Sequence, residues 1–204
     1  METELKLNLD AAEVPRLLGH PLLHQPALAQ RLLNTYFDTP ALDLRARRMA
    51  VRERLAGKQW LLTVKTAGHS ENGLSRRQEW EGLTTPGALQ FDALVDDAAL
   101  AADLMTLRPA LQPLFATDFE RQRWVLDHEG AHIEVALDQG LIHVPGSALN
   151  EPIVELELEL LSGHEAALMA LAAALRHTPQ GTIALTPSDT SKAQRGMALW
   201  ARSR

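Results

Sequence analysis

The chain has 204 residues, 46% of them hydrophobic, enough to bury the core of one domain. The absence of cysteine excludes disulfides, thiolate zinc sites and a cysteine nucleophile, and leaves oxygen and imidazole as metal ligands. A formal net charge of −6 argues against nucleic acid as a partner, and no apolar run reaches the roughly 18 residues of a membrane helix. The start, Met1-Glu2-Thr3-Glu4, lacks the basic and then apolar order of a signal peptide, so a cytoplasmic protein with no membrane partner is expected.

Residues 2–9 alternate charged with apolar side chains, as a half-buried strand does. Asp10 suits the N-cap of a short helix over 10–19, and Pro21 and Pro26 break the chain before a strand over 28–38 that ends at Thr39-Pro40. Alternation returns over 50–55 and 60–66, joined by the hairpin-like Ala56-Gly57-Lys58-Gln59, and after a polar loop over 75–81. Residues 84–113 carry several prolines around an Ala-rich piece and read as one or two short helices. Three more strands are expected over 114–127, 131–144 and 152–161. In the last, Glu155, Glu157 and Glu159 share one face while Val154, Leu156, Leu158 and Leu160 share the other, a pattern that only a period of two explains. A helix over 165–176 follows, and a final one after Pro187-Ser188-Asp189, for which Ser188 is the expected cap. The resulting class is α+β, mainly β: about eight antiparallel strands, each with one apolar and one charged side, covered on the apolar side by helices.

The charged side gathers Glu2, Glu4, Lys6, Arg52, Arg54, Lys65, Arg77, Glu79, Arg121, Arg123, Glu134, Asp138, Glu155, Glu157 and Glu159, with Lys192 and Arg195 added by the last helix. A solvated sheet face whose charges pair across strands is the plainest explanation of such a set. Two features point beyond it. Like charges stack at i and i+2 within single strands, and ionised residues nearly displace the Thr, Ser and Gln common on wet sheets. Stacked carboxylates call for a cation and stacked arginines for an anion, which a metal-bound polyphosphate supplies together.

The ordered set Glu2-x-Glu4-x-Lys6, Tyr36-Phe37-Asp38-Thr39-Pro40, Arg52-x-Arg54, Lys65 and Arg77-x-Glu79 resembles the CYTH family, also called triphosphate tunnel metalloenzymes, along essentially the whole chain. Segments 112–119, 136–140, 151–163 and 191–196 look most like its bacterial inorganic triphosphatase branch. The resemblance implies an eight-stranded antiparallel β-barrel open as a tunnel, with helices packed on the outside, over a single domain spanning 1–204. That branch often carries a C-terminal CHAD domain. None follows Arg204, so the chain reads either as a solitary member or as part of a longer one.

The resemblance further implies Mg2+ or Mn2+ held by Glu2, Glu4, Glu155 and Glu157, and phosphates gripped by Lys6, Arg52, Arg54, Lys65, Arg77, Arg121, Arg123, Lys192 and Arg195. Glu79, Glu134, Asp138 and Glu159 are further tunnel carboxylates, and Glu4, Lys6, Arg54 and Glu157 are the residues expected to carry the reaction. The expected activity is metal-dependent hydrolysis of inorganic triphosphate to pyrophosphate and phosphate, the partner being a small-molecule triphosphate or polyphosphate. A class IV adenylyl cyclase or a thiamine or nucleoside triphosphatase on the same tunnel, and a non-catalytic polyphosphate-binding module, are the alternatives.

Overall fold

The alternating segments all become strands in the computed structural model, which describes residues 1–204. They are β1 (Glu2–Asn8), β2 (Leu28–Asp38), β3 (Ala50–Ala56), β4 (Gln59–Lys65), β5 (His69–Glu71), β6 (Leu74–Arg77), β7 (Glu79–Leu83), β8 (Gln112–His128), β9 (Ala131–His143) and β10 (Asn150–Ser162). β11 (His177–Thr178) and β12 (Gly181–Thr182) form a small hairpin, and β13 (Thr186–Pro187) pairs with β1. The helices are α1 (Val14–Leu18), α2 (Asp43–Ala46), α3 (Phe91–Leu94), α4 (Ala98–Leu107), α5 (Ala166–Leu175) and α6 (Lys192–Arg202).

All strand pairs are antiparallel, in the spatial order β5-β6-β1-β10-β9-β8-β2-β3-β4-β7. The two sides of this order meet. Arg77 of β6 pairs with Glu2 of β1, Glu79 of β7 pairs with Lys65 of β4, and Gln78 alone separates them, its carbonyl accepting from the Thr66 amide. One run of chain therefore serves both edges, and the sheet curls into a barrel of eight runs: β1, β10, β9, β8, β2, β3, β4 and the shared β6–β7. The expected single strand over 75–81 is thus split where it changes partner, and the polar loop before it holds β5.

The period of two now has a physical outcome: apolar side chains point out under helices and charged ones point in. Leu5, Leu7, Leu156 and Leu158 pack with Leu168, Leu171 and Leu175 of α5, and Val51, Leu62 and Val64 with Phe91 and Leu104 of α3 and α4. Each such fully buried side chain contributes about 1.5–3 kcal/mol. α6 differs from these outer helices. Its Leu199 joins Leu32, Tyr36, Phe115, Phe119 and Ile142, and Gly196 lies so close to the Phe115 ring that a Cβ there would come within 2.0 Å of it. Ser191, not Ser188, caps α6, in a capping box with Gln194, because the helix starts at Lys192 and Ser188 lies too far before it; the Ser188 amide instead bonds the Lys6 carbonyl. Of the four tryptophans, Trp124 is buried in the core, while Trp60, Trp80 and Trp200 are half-buried. No helix is long and apolar enough to cross a membrane.

Candidate functional site

Strand register places the inward residues in rows. Glu4 pairs with Glu159 and Glu159 with Glu134; Lys6 pairs with Glu157, which faces Ala136 and then Arg123; Glu155 pairs with Asp138 and Asp138 with Arg121. Across the barrel Arg54 lies beside Asn34, and Arg52 beside Tyr36 and Thr63. Many of these rows border a cavity of about 950 Å3 lined by Glu2, Glu4, Lys6, Arg52, Arg54, Lys65, Arg77, Glu79, Arg121, Arg123, Glu134, Glu157, Glu159 and Lys192. Asp138, Glu155 and Arg195 do not line it. Asp138 and Glu155 are fully buried beneath Lys192, and Arg195 bonds Glu151 at 2.7 Å and Glu155 at 3.1 Å.

The expected metal ligands do not come together as one group. Three carboxylates, Asp138, Glu155 and Glu157, hold oxygens within 4.8 Å of one another, and Glu2 and Glu4 lie outside that trio. A cation already serves the trio: the Lys192 ammonium is 2.7 Å from Asp138 and 2.8 Å from Glu157 and bonds Glu155, while Arg121 reaches Asp138 at 2.7 Å and Glu157 at 2.5 Å. Burial opposes ionisation of Glu157, yet Lys192 and Arg121 hold it well below the usual carboxylate range; for Glu155 burial prevails and its pKa rises. Glu2 accepts from Lys65 at 3.0 Å and Arg77 at 2.8 Å, which keep it low against its burial.

Glu4 stands apart. Its Oε1 is buried with no hydrogen-bond donor, the nearest cations being Lys6 at 3.6 Å and Arg77 at 3.8 Å. Its register partner Glu159 is pushed up to about 7, first by burial and then by Glu2, Glu134, Glu4 and Glu79. Glu159 has no basic group within 4.0 Å, in contrast to its neighbours Glu2, Glu4 and Glu134. On the opposite wall the guanidinium groups crowd one another, with Glu79 and Glu81 the carboxylates within reach. Arg54, which donates to Asn34 at 2.8 Å and has Glu81 at 3.6 Å, is pushed down to about 10 by burial and then by Arg52. A buried oxygen without a donor beside a partly protonated carboxylate fits an oxygen-seeking divalent cation, and crowded buried guanidinium groups fit a polyanion.

Several residues absent from the sequence-based set belong here. Tyr36 accepts from Arg52 at 3.4 Å; burial would raise its phenol, but Arg52, Arg54 and Lys192 lower it. Thr63 donates to Glu81 at 2.7 Å, and Asn34 donates to Thr117 at 2.9 Å. Glu81 was legible, since it alternates with Arg77 and Glu79. Asn34, Tyr36 and Thr63 sit in strands whose inward positions mix apolar with polar side chains, and such a mixture carries no periodic signal.

The chain matches the CYTH domain over residues 1–196, so a CHAD domain has no place within these 204 residues. It is 34% identical, over 97% of its length, to an inorganic triphosphatase of Haemophilus influenzae and covers 54% of that protein. The chain thus spans about half the length of the curated relative it matches. Among solved structures it is similar to an adenylyl cyclase candidate from Hippeastrum with a dominant triphosphatase activity, at a TM-score of 0.68 and 20% identity over 97% of this chain and 96% of that one. An adenylate cyclase candidate from Bacillus halodurans follows at 0.61 and 20%, over 96% of each chain. These likenesses to solved structures carry the barrel fold, and the family match takes in the inward glutamates and the first turn of the Lys192 helix: the chain belongs to the CYTH family.

Proposed function

We propose that the barrel cavity binds inorganic triphosphate together with Mg2+ or Mn2+ and hydrolyses it to pyrophosphate and phosphate, with residues 1–204 acting as one tunnel domain. The observation that carries this reading is a pair of complementary features in one cavity, a buried Glu4 oxygen without a hydrogen-bond donor beside Glu159, and crowded arginines at Arg52 and Arg54. A polyanion with a divalent cation relieves both at once.

Glu2 and Glu4 would hold the cation, with Glu159 opposite Glu4 the nearest carboxylate short of positive charge; Glu155 and Glu157 take part only as Lys192 yields them. A divalent cation bound there supplies neutralisation of charge on phosphate oxygens. The chain's own groups do the rest. Lys6, Arg52, Arg54, Lys65, Arg77, Arg121 and Arg123 donate charge-assisted hydrogen bonds that orient the phosphates for in-line attack by water. Lys192 and Arg195 hold α6 against the trio and Glu151. Glu79 and Glu159, both raised by burial and then by neighbouring carboxylates, and Glu134 beside Glu159 are the carboxylates that would orient the attacking water.

The test is phosphate release from tripolyphosphate, with ATP and thiamine triphosphate alongside, in Mg2+, Mn2+ and EDTA, Glu4→Gln excluding a contaminating phosphatase. Metal-dependent release from tripolyphosphate, lost in the variant, is the expected result. Tight binding without turnover would replace this reading with a polyphosphate-binding module, and preferential turnover of ATP or thiamine triphosphate would replace the substrate.

A further inference from the structure

Two cavity-lining cations belong to none of the networks described above. Arg45 and Arg48 lie on the exposed rim, beside Asp38, Met49 and Gly68. Every other basic side chain that lines the cavity has a carboxylate within 4.0 Å of its charge, and these two guanidinium groups have none: that of Arg48 donates to the Gly68 carbonyl, at 3.3 Å.

The backbone beneath them holds them in place. α2 ends in a Schellman motif in which the Met49 amide bonds the Leu44 carbonyl and the Arg48 amide bonds the Arg45 carbonyl. That arrangement puts Arg48 at the left-handed position, φ 56°, where glycine is the residue that fits without cost. Asp38 braces the other side of the turn, its carboxylate accepting from the Leu44 and Arg45 amides. Arg48 thus keeps a charged side chain, without a carboxylate partner and facing the cavity, at a position where glycine would cost less. A cavity of about 950 Å3 also lies at the upper end of the size range of small-ligand sites, larger than three phosphates need.

We infer that Arg45 and Arg48 form an outer anion subsite that takes the phosphates beyond the third of a linear inorganic polyphosphate whose end is held by the inner arginines. This rests on the triphosphate reading and extends it to chain length. Two guanidinium groups free of carboxylates recognise additional phosphate charge, which the uncharged nucleoside of a nucleoside triphosphate does not offer.

The experiment compares tripolyphosphate, tetrapolyphosphate, long-chain polyphosphate and ATP, by turnover in Mg2+ and by calorimetric binding in EDTA, for wild type, Arg45→Ala and Arg48→Gly. The expected result is an unchanged KM for tripolyphosphate and a rise of about tenfold per variant for the longer chains. Arg48→Gly is further expected to unfold at an equal or higher temperature, so that stability and long-chain affinity move in opposite directions. Equal effects on tripolyphosphate and the longer chains, no effect on either, or a loss confined to ATP would overturn the inference. Should wild type turn over neither phosphate, the hydrolysis reading fails and the binding arm still decides: a long-chain preference lost in the variants supports the subsite, and no preference to lose refutes it.

Discussion

Single residues carry charge on both sides of the barrel wall, and the two sides treat it differently. Arg52 and Arg54 face the cavity, but Glu53 between them points out into an apolar layer, where it is buried and accepts from the Gly87 amide at 2.7 Å. Burial raises its pKa despite that bond. The unfolded carboxyl loses its proton near pH 4.3 while the folded one keeps it to a higher pH, so this group's contribution to stability falls as pH climbs through that interval and stays lower above it. Glu53→Gln retains an acceptor for Gly87 without the charge. It should raise the unfolding temperature by a few degrees at neutral pH and leave it unchanged near pH 4, as thermal melts across pH would show; an equal shift at both pH values would contradict this assignment. Alternation placed Glu53 opposite Arg52 and Arg54, yet the Gly87 amide that holds it comes from a loop far along the chain, and such a partner is not written locally. The same limit hid the unpartnered Glu4 oxygen: the Glu-x-Glu-x-Lys pattern names the residue, and only the register against Glu159 reveals what it lacks.

Among the elements, α6 has the most to say, because it ties its own Lys192 into the barrel wall. Removing that ammonium leaves Asp138, Glu155 and Glu157 buried around an empty place, a loss of about 3–5 kcal/mol. Lys192→Ala should therefore melt much lower in EDTA, and Mg2+ or Mn2+ should recover part of the loss, since the trio has cation-ligand spacing. A Tm that divalent ions leave unchanged would remove the trio from consideration as a cation site. Gly196→Ala should cost about 1–3 kcal/mol through the collision with Phe115, whose ring stacks on Tyr36 at 4.6 Å, and should weaken tripolyphosphate binding as α6 shifts; calorimetry with and without tripolyphosphate checks both. The helix itself was legible, as were the strands, whose period of two gave their bounds closely. Its inner placement was not, for an amphipathic stripe says that a helix packs without saying against which face; its cap was, in the capping-box pattern Ser191-x-x-Gln194, although Ser188 was the cap expected. The division of 75–81 at Gln78 left no mark either, because both halves keep one alternation and the change of partner is a property of the curled sheet.

For the molecule as a whole, the sequence charge of −6 hides the arrangement that matters, an interior dense in both signs beneath apolar outer layers. A ligand that binds only this folded interior must stabilise it by mass action. In EDTA, tripolyphosphate at about 100 times its dissociation constant should add about 2.7 kcal/mol to the free energy of unfolding, and Arg54→Ala should remove most of that gain. A melt indifferent to tripolyphosphate would leave the crowded arginines without the anion assigned to them.

The run from Leu74 to Leu83 bears on how wide that interior can be. A hoop made of separate staves can loosen by letting one stave slide past its neighbour. Here the first and last staves are one piece of chain, joined through Gln78. A slip of one residue would turn every inward charge outward, and on this stave it would have to occur at both seams together. The girth of the barrel is thereby set by covalent continuity as well as by hydrogen bonds, so the bore offered to a ligand is a fixed dimension of the backbone, and adjustment is left to side chains and to α6.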